Sequence, residues 1–497
     1  MILRALSVFW LVMLALQVDA FDTQLSAEKT TRGIEDLLDG DGTRSLASIL
    51  SACFLTIFAC VYTAVHPNIP SPYDSTFKVA CRRTAIVIMA VLAPELIVVW
   101  AARQYVSARE FTKEMNEYIK SESILVDDQR TLHGSVVSET ITGTVEHPHS
   151  PLLPTSAGIP RKSQNVDYEK RWGWFRPRLL SDDAWSHEHS FFAYMGGFML
   201  YYEGKPWCRI SPPNLLKALR AGSITADITK AEISDCSKGD FISKGVVILQ
   251  VTWFAIQLLA RVANGVYVAP LEWGTLAFAL LSFFTYVLWW KKPLDVFYPR
   301  RVRWIGQGDP PTDLHIDDLH PAGGTHQLSD DAFSPLVRRL LAPIHFTLQM
   351  IGLWEENDRF RVDTFGGDDI DLFGGQTALS RKTVGIGTAA WTIFGIVNAI
   401  AGRYQFPTHS EQVSWVAISA TMPSMPYWPV WTAWVINQFR SCQLRDDSTA
   451  LWVIMCFTWF AYVVCRVILI SLMFASLRQL PLDAYKVLPW TGYIPHL

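Results

Sequence analysis

The sequence predicts an all-α polytopic transmembrane helical bundle, and three observations carry that expectation. Half of the 497 residues are hydrophobic and only 18% are charged, below the roughly 25% of soluble domains. The apolar residues are gathered into blocks that hold few charges. Several of those blocks reach the ~20 residues a helix needs to cross the hydrocarbon core.

Taken in order, the N-terminus reads as a targeting segment over 1–20. Arg4 supplies a positive start, Ala5 to Val18 an apolar core, and Val18-Asp19-Ala20 a cleavage site with small residues where a signal peptidase reads. Residues 21–44 form a polar exterior leader. The region 45–118 holds the first two spans, Ser45–His66 and Thr84–Ala102, the second extended by a helix through Lys120. Residues 119–184 read as a polar, largely disordered loop, rich from Asp127 in Ser, Thr, Gly, Pro and His. A membrane region over 185–305 follows, with a short span at 185–202 and a helical hairpin, Gly245–Val266 and Gly274–Trp290. A second polar loop covers 306–332. The C-terminal region 333–497 contributes Thr383–Gly402 and Ala450–Ala475, with weaker stretches at Leu340–Leu353 and Val413–Ile436. Pro423, Pro426 and Pro429 interrupt the last of these, which favours an interfacial helix turning into a short span over a discontinuous one.

The span at 185–202 is inferred from parity. With an exterior leader, Lys78, Arg82 and Arg83 follow the first span on the inside. The basic flanks of the hairpin, Lys205 to Lys244 and Lys291 to Arg303, also belong inside. A crossing at Thr84–Ala102 then demands one more before Lys205, and 185–202 is the available apolar stretch. That assignment leaves the basic 103–184 segment outside.

Ionisable residues inside spans are expensive and functional by default. Glu95, directly after Pro94, is expected to meet a polar face of the fourth span built by Gln250, Gln257 and Arg261 at i, i+7 and i+11. Arg466 has no acidic neighbour in its own helix, so its partner must come from another. Asn398 sits beside Gly395 and Ala399, a small-xxx-small pair that favours close packing. At the exterior mouth of the short span, His187, Glu188 and His189 are the candidate metal ligands. In a helix, however, i and i+2 side chains diverge. "FGGDDIDLFGGQ" reads as a solvated turn. HExxH, GxSxG, P-loop and GxGxxG motifs are absent, so no cofactor is evident and an enzyme is the less favoured class. The eight cysteines show no CxxC and read as buried thiols, and a net charge of −3 excludes a generally nucleic-acid-binding surface.

Several stretches resemble a family of fungal multi-pass membrane proteins of unestablished molecular function. They are His189 with Phe191-Phe192 and Met195-Gly196-Gly197-Phe198, then Ser237-Lys238-Gly239-Asp240, Ser243-Lys244, Gln250, Trp253-Phe254, Gln257 and Ala260-Arg261. "LAFALLSFFTYVLWWKKPLDV" is similar as well, as are Phe406-Pro407-Thr408, Glu411, Trp415, Arg466, Leu477-Arg478, Leu480-Pro481, Tyr485 and Ile494-Pro495-His496. Ser190 stands where that family usually has Gly, and Asn398 where it has His. The resemblance implies a polytopic membrane fold and no particular reaction. Three functions follow as expectations: a transporter-like or solute-responsive protein using the polar interior, with lipid and a small solute or protons as partners; a metal-dependent membrane enzyme at His187/His189; or an accessory scaffold. The expected location is a plasma membrane or endomembrane reached through the secretory pathway.

Overall fold

The structure is a computed structural model that describes residues 44–141, 184–225, 228–237, 240–306, 308–311, 314, 358–370, 378–404, 406–424 and 447–488. The targeting segment, most of both polar loops, Leu340–Leu353 and Met425 to Ile436 lie outside them.

The bundle begins with α1, Leu46–Ala64, capped by the Ser45 hydroxyl, which accepts from the Ser48 amide at 3.1 Å. α2, Thr76–Leu92, starts the same way at Ser75. The chain then breaks at Ala93, and α3 runs from Pro94 to Ile141. After the hairpin of α7, Asp240–Ala263, and α8, Pro270–Leu288, come α9, Ala378–Ala401, α10, His409–Thr421, and α11, Asp447–Ala475. Four described helices, α1, α8, α9 and α11, are long and apolar enough to cross a membrane, and α7 contributes a shorter apolar stretch. α8 lies at the centre: Phe278 and Leu281 on it, and Trp289 just after its end, are fully or nearly fully buried. The expected close approach at Gly395 is there, since a Cβ on it would lie 2.2 Å from Pro423 Cγ.

The expected span Thr84–Ala102 is not one continuous helix. Pro94 has no amide hydrogen and its ring excludes the preceding turn, so the helix ends at Leu92 and restarts turned by 115°. Both arms return to the same end of the bundle. Arg83, near the start of α2, pairs with Asp295 beyond α8 at 2.6 Å, and Arg103 on α3 meets Asp368 at 2.8 Å. The tip of this re-entrant pair touches mid-bundle, where the Tyr462 hydroxyl lies 3.3 Å from the Leu92 carbonyl. α3 also stays helical to Ile141, well past Asp127, because 119–141 contains no proline and Gly134 is its only glycine.

The all-α expectation is overturned by a small four-stranded sheet beside the outer half of α3. Residues 185–202 are not a helical span: α4, His187–Tyr194, ends at Met195 and Gly196, and β1 is Phe198–Tyr202. Glu203 and Gly204 both have positive φ and form the tight turn into β2, Lys205–Arg209. Pro212 opens α5, Pro212–Arg220, then come β3, Ile224–Thr225, α6, Lys230–Asp235, and, after α8, β4, Arg300–Trp304. The strand order is β2-β1-β4-β3, with β1 and β4 parallel and the outer pairs antiparallel. Phe111, Met115 and Tyr118 of α3 pack with Trp185 and Leu219 into one core. Free thiols occupy the described cysteine positions: Cys53, Cys60 and Cys208 are buried, whereas Cys81 and Cys236 are exposed against expectation.

Candidate functional site

The break at Ala93 places Glu95 in the first turn of α3, where the helix dipole favours a carboxylate. Tyr462 donates to Glu95 Oε1 at 2.9 Å, and Arg466, one turn further along α11, lies 3.7 Å from Oε2. The Arg466 guanidinium stacks over the rings of Phe394, 4.0 Å from the centroid, and Phe278, at 4.9 Å. Arg466 is 1% exposed and Glu95 0%. None of the three guanidinium nitrogens, nor Glu95 Oε2, has a hydrogen-bond partner among the described residues. Coulomb attraction at this separation is on the order of 4 kcal/mol at an effective dielectric of about 20. Desolvating each ion costs several kcal/mol, so the pair does not balance itself without further polar contacts. This site unites two sequence candidates with a third group, Tyr462, that sequence reading missed.

The other candidates lie elsewhere. Gln250 donates to Thr56 at 3.2 Å, and Gln257 is half-buried on α7. Arg261 sits at the far end of α7, not opposite Glu95. Its guanidinium donates to the carbonyls of Lys486 at 2.6 Å, Tyr267 at 2.8 Å, Ala484 at 3.0 Å and Asp483 at 3.2 Å. Arg44 reaches the same turn through the Ala484 carbonyl and forms a bidentate pair with Glu272. The expected meeting of Glu95 with this polar face is therefore absent, because the break turns Glu95 toward α11. Asn398 donates to its own helix, at the Phe394 carbonyl, and its carbonyl oxygen on the backbone accepts from Trp415 at 2.7 Å.

At the opposite end a buried cluster surrounds Lys292, which the sequence offered only as part of a basic flank. Its ammonium donates to the His66 carbonyl at 2.6 Å, Gln104 Oε1 at 2.8 Å and Asn68 Oδ1 at 3.2 Å, and lies over Trp289 and Trp100. Burial pushes it well below the usual lysine range, against the pull of Asp368. The Gly366 carbonyl accepts from Gln104, Asn68 and Trp100 together. "FGGDD" is thus a docked loop and not a solvated turn: Asp368 holds Arg103, the Asp369 carboxylate accepts from Tyr194, and its amide donates to Ser107. Asp371 is outside the described residues.

His187, Glu188 and His189 form the first turn of α4, where His189 and Glu188 are engaged with separate partners. His189 Nδ1 lies against the Ser186 amide and hydroxyl, and Nε2 lies 3.1 Å from the Ile228 carbonyl. Glu188 pairs with Lys291 at 2.8 Å and Lys230 at 3.6 Å. Burial would raise its carboxyl, but hydrogen bonds from Lys291, its own backbone and Ser186 outweigh that and bring it down to about 2. Burial lowers His187. No group of three or more His, Cys, Asp or Glu side chains able to hold a metal occurs among the described residues.

No curated protein and no solved structure matches the chain. One family does, over residues 11–139 and 162–308, more than half of the chain, and its description is a family of unknown function. The match takes in the re-entrant pair, the sheet and the α7–α8 hairpin, while Arg466 lies beyond it. The chain belongs to that family, DUF8562.

Proposed function

We propose that this chain is a multi-pass integral membrane protein of the secretory pathway in which Glu95 and Arg466 form a proton- or solute-responsive centre. The observation that carries this reading is a guanidinium buried mid-bundle, at the tip of a re-entrant pair, whose three nitrogens have no hydrogen-bond partner among the described residues. Such a group favours an incoming acceptor, and a buried carboxylate stands beside it. The resemblance to fungal polytopic proteins supports the same class.

The re-entrant pair also supports a consistent orientation. With α2 and α3 returning to the end where they started, no crossing is needed between Arg103 and Lys205. Lys78, Arg103, Lys217, Lys291, Arg303 and Lys382 then all share one end, which the positive-inside rule makes cytosolic. Arg44, Arg261 and Arg478 are at the other.

The test is flux in proteoliposomes carrying an internal pH dye, across wild type, Glu95→Gln and Arg466→Gln. Loss of proton- or anion-driven dye response in both variants, with retained folding, is the expected result. A response absent in the wild type, or unchanged in both variants, removes the reading. A scaffold function is the second reading. It is favoured by the Arg261, Lys292 and Glu188 clusters, whose hydrogen bonds go to neighbouring backbone and side chains.

A further inference from the structure

One face of the small sheet carries arginines interleaved with aromatic rings. The parallel register opposes Met199 to Arg301 and Tyr201 to Arg303, and Met199 also faces Arg209, so these side chains share a face. Arg301 stacks on Tyr201 at 4.8 Å, and Arg359 stacks on Trp207 at 4.6 Å. Arg359 is joined to the sheet edge by its carbonyl, which accepts from the Arg209 amide at 2.9 Å. Arg301 and Arg303 are exposed; Arg209 and Arg359 are half-buried, with Nε atoms that are buried and lack a partner. No ion pair engages these four arginines among the described residues. Among the described residues the carboxylates nearby are Glu203, in the exposed turn, Asp309, which accepts from Tyr202, and Asp358, which accepts from Arg361.

The approach to this face is apolar and exposed. Trp290 at the end of α8, then Phe297 and Tyr298, lead directly into β4, and Tyr298 is 81% exposed. Aromatic side chains at the end of an apolar helix mark the headgroup level of a bilayer. Guanidinium forks held flat by rings bind phosphate oxygens in pairs.

We propose that the Arg209–Arg301–Arg303–Arg359 face binds the phosphate-bearing headgroup of an anionic phospholipid in the cytosolic leaflet. This rests on the membrane reading above. The charge selects an anion, and the continuity with Trp290, Phe297 and Tyr298 selects a lipid over a soluble one. Two exposed arginines give the headgroup access, while the two half-buried ones hold the inner phosphate oxygens. A bound headgroup fixes the sheet, and through it the outer half of α3, against the membrane plane.

The experiment uses the full chain in nanodiscs of phosphatidylcholine doped with phosphatidylinositol bisphosphate, followed by native mass spectrometry of the released protein. Wild type is expected to retain the acidic lipid. Arg301→Gln/Arg303→Gln loses at least tenfold in retention, Arg301→Lys/Arg303→Lys loses less, and Arg403→Gln at the other end of the bundle loses nothing. Equal retention in the double glutamine variant overturns the site. Competition by inositol trisphosphate as strong as by the lipid overturns the lipid in favour of a soluble anion, and displacement by a single-stranded oligonucleotide overturns it in favour of nucleic acid. A chain that does not enter nanodiscs overturns the membrane reading as well, whereas one that enters and shows no lipid preference overturns the headgroup site alone.

Discussion

Glu95 of α3 and Arg466 of α11 approach to 3.7 Å between two helices far apart in the chain, and the connection exists because Pro94 ends α2 at that depth. A continuous helix through residue 94 would carry Glu95 elsewhere. The proline and the acid that follows it are therefore one feature.

Removing one partner should expose that dependence. Glu95→Gln leaves a buried cation opposite two phenyl rings, and a loss on the order of 3–5 kcal/mol is expected. The double variant Glu95→Gln/Arg466→Met should lose less than the two single variants added together. Denaturant titration in detergent measures both; strict additivity would show that the two groups do not interact.

Topology gives a second prediction. Cysteines placed at Ser75 and Glu110, on either side of the break, should react with an impermeant maleimide from the same face of the membrane, and one at His409 from the opposite face. Ser75 and Glu110 reacting from opposite faces would mean that the α2–α3 pair crosses.

Lys292 supplies a donor for three oxygens, so Lys292→Met removes it from the His66 carbonyl, Asn68 and Gln104 in the interior. A cost of about 2–4 kcal/mol is expected. Gly367→Ala tests the same cluster from the loop side. Its φ is +89°, and the new Cβ would stand 2.7 Å from the Tyr194 carbonyl, for a loss of about 1–3 kcal/mol. Thermal unfolding that leaves both variants at the wild-type midpoint would mean the loop is not docked.

Glu188 predicts a pH window. Its folded pKa lies below the ordinary 4.5, at about 2, so its contribution is complete above 4.5 and is lost as pH falls toward 2. Glu188→Gln should flatten the difference in unfolding midpoint across that interval. A wild-type profile that parallels the variant through the window would remove the Lys291 pair as its source.

Helices with twenty or so apolar residues were legible because that pattern has one outcome, and α1, α8 and α9 fall where expected. The sheet was hidden for a physical reason. "FFAYMGGFML" is apolar enough for a span, and hydropathy alone does not separate a buried helix-turn-strand from a short crossing. The available signal was Glu203-Gly204 between Tyr-Tyr and Lys-Pro-Trp, a two-residue hairpin turn. Parity demands a crossing at 185–202 only if Thr84–Ala102 is one straight helix, and the chain turns there by 115°. Glu95 and Arg466 were recognisable one by one from their cost in an apolar run. Their pairing, like the convergence of Lys292 with Gly366, depends on contacts between segments far apart in the chain, which no local pattern encodes.

The 48-residue α3 turns the break at Ala93 into a fulcrum. From Glu95 to Tyr118 the helix rises ~35 Å, so a rotation of ~5° at the proline sweeps its sheet-bearing end through ~3 Å. Changes at the Glu95–Arg466 contact too small to rearrange the helices around it would thus be read at the sheet as displacement, with the rod serving as the pointer of the gauge.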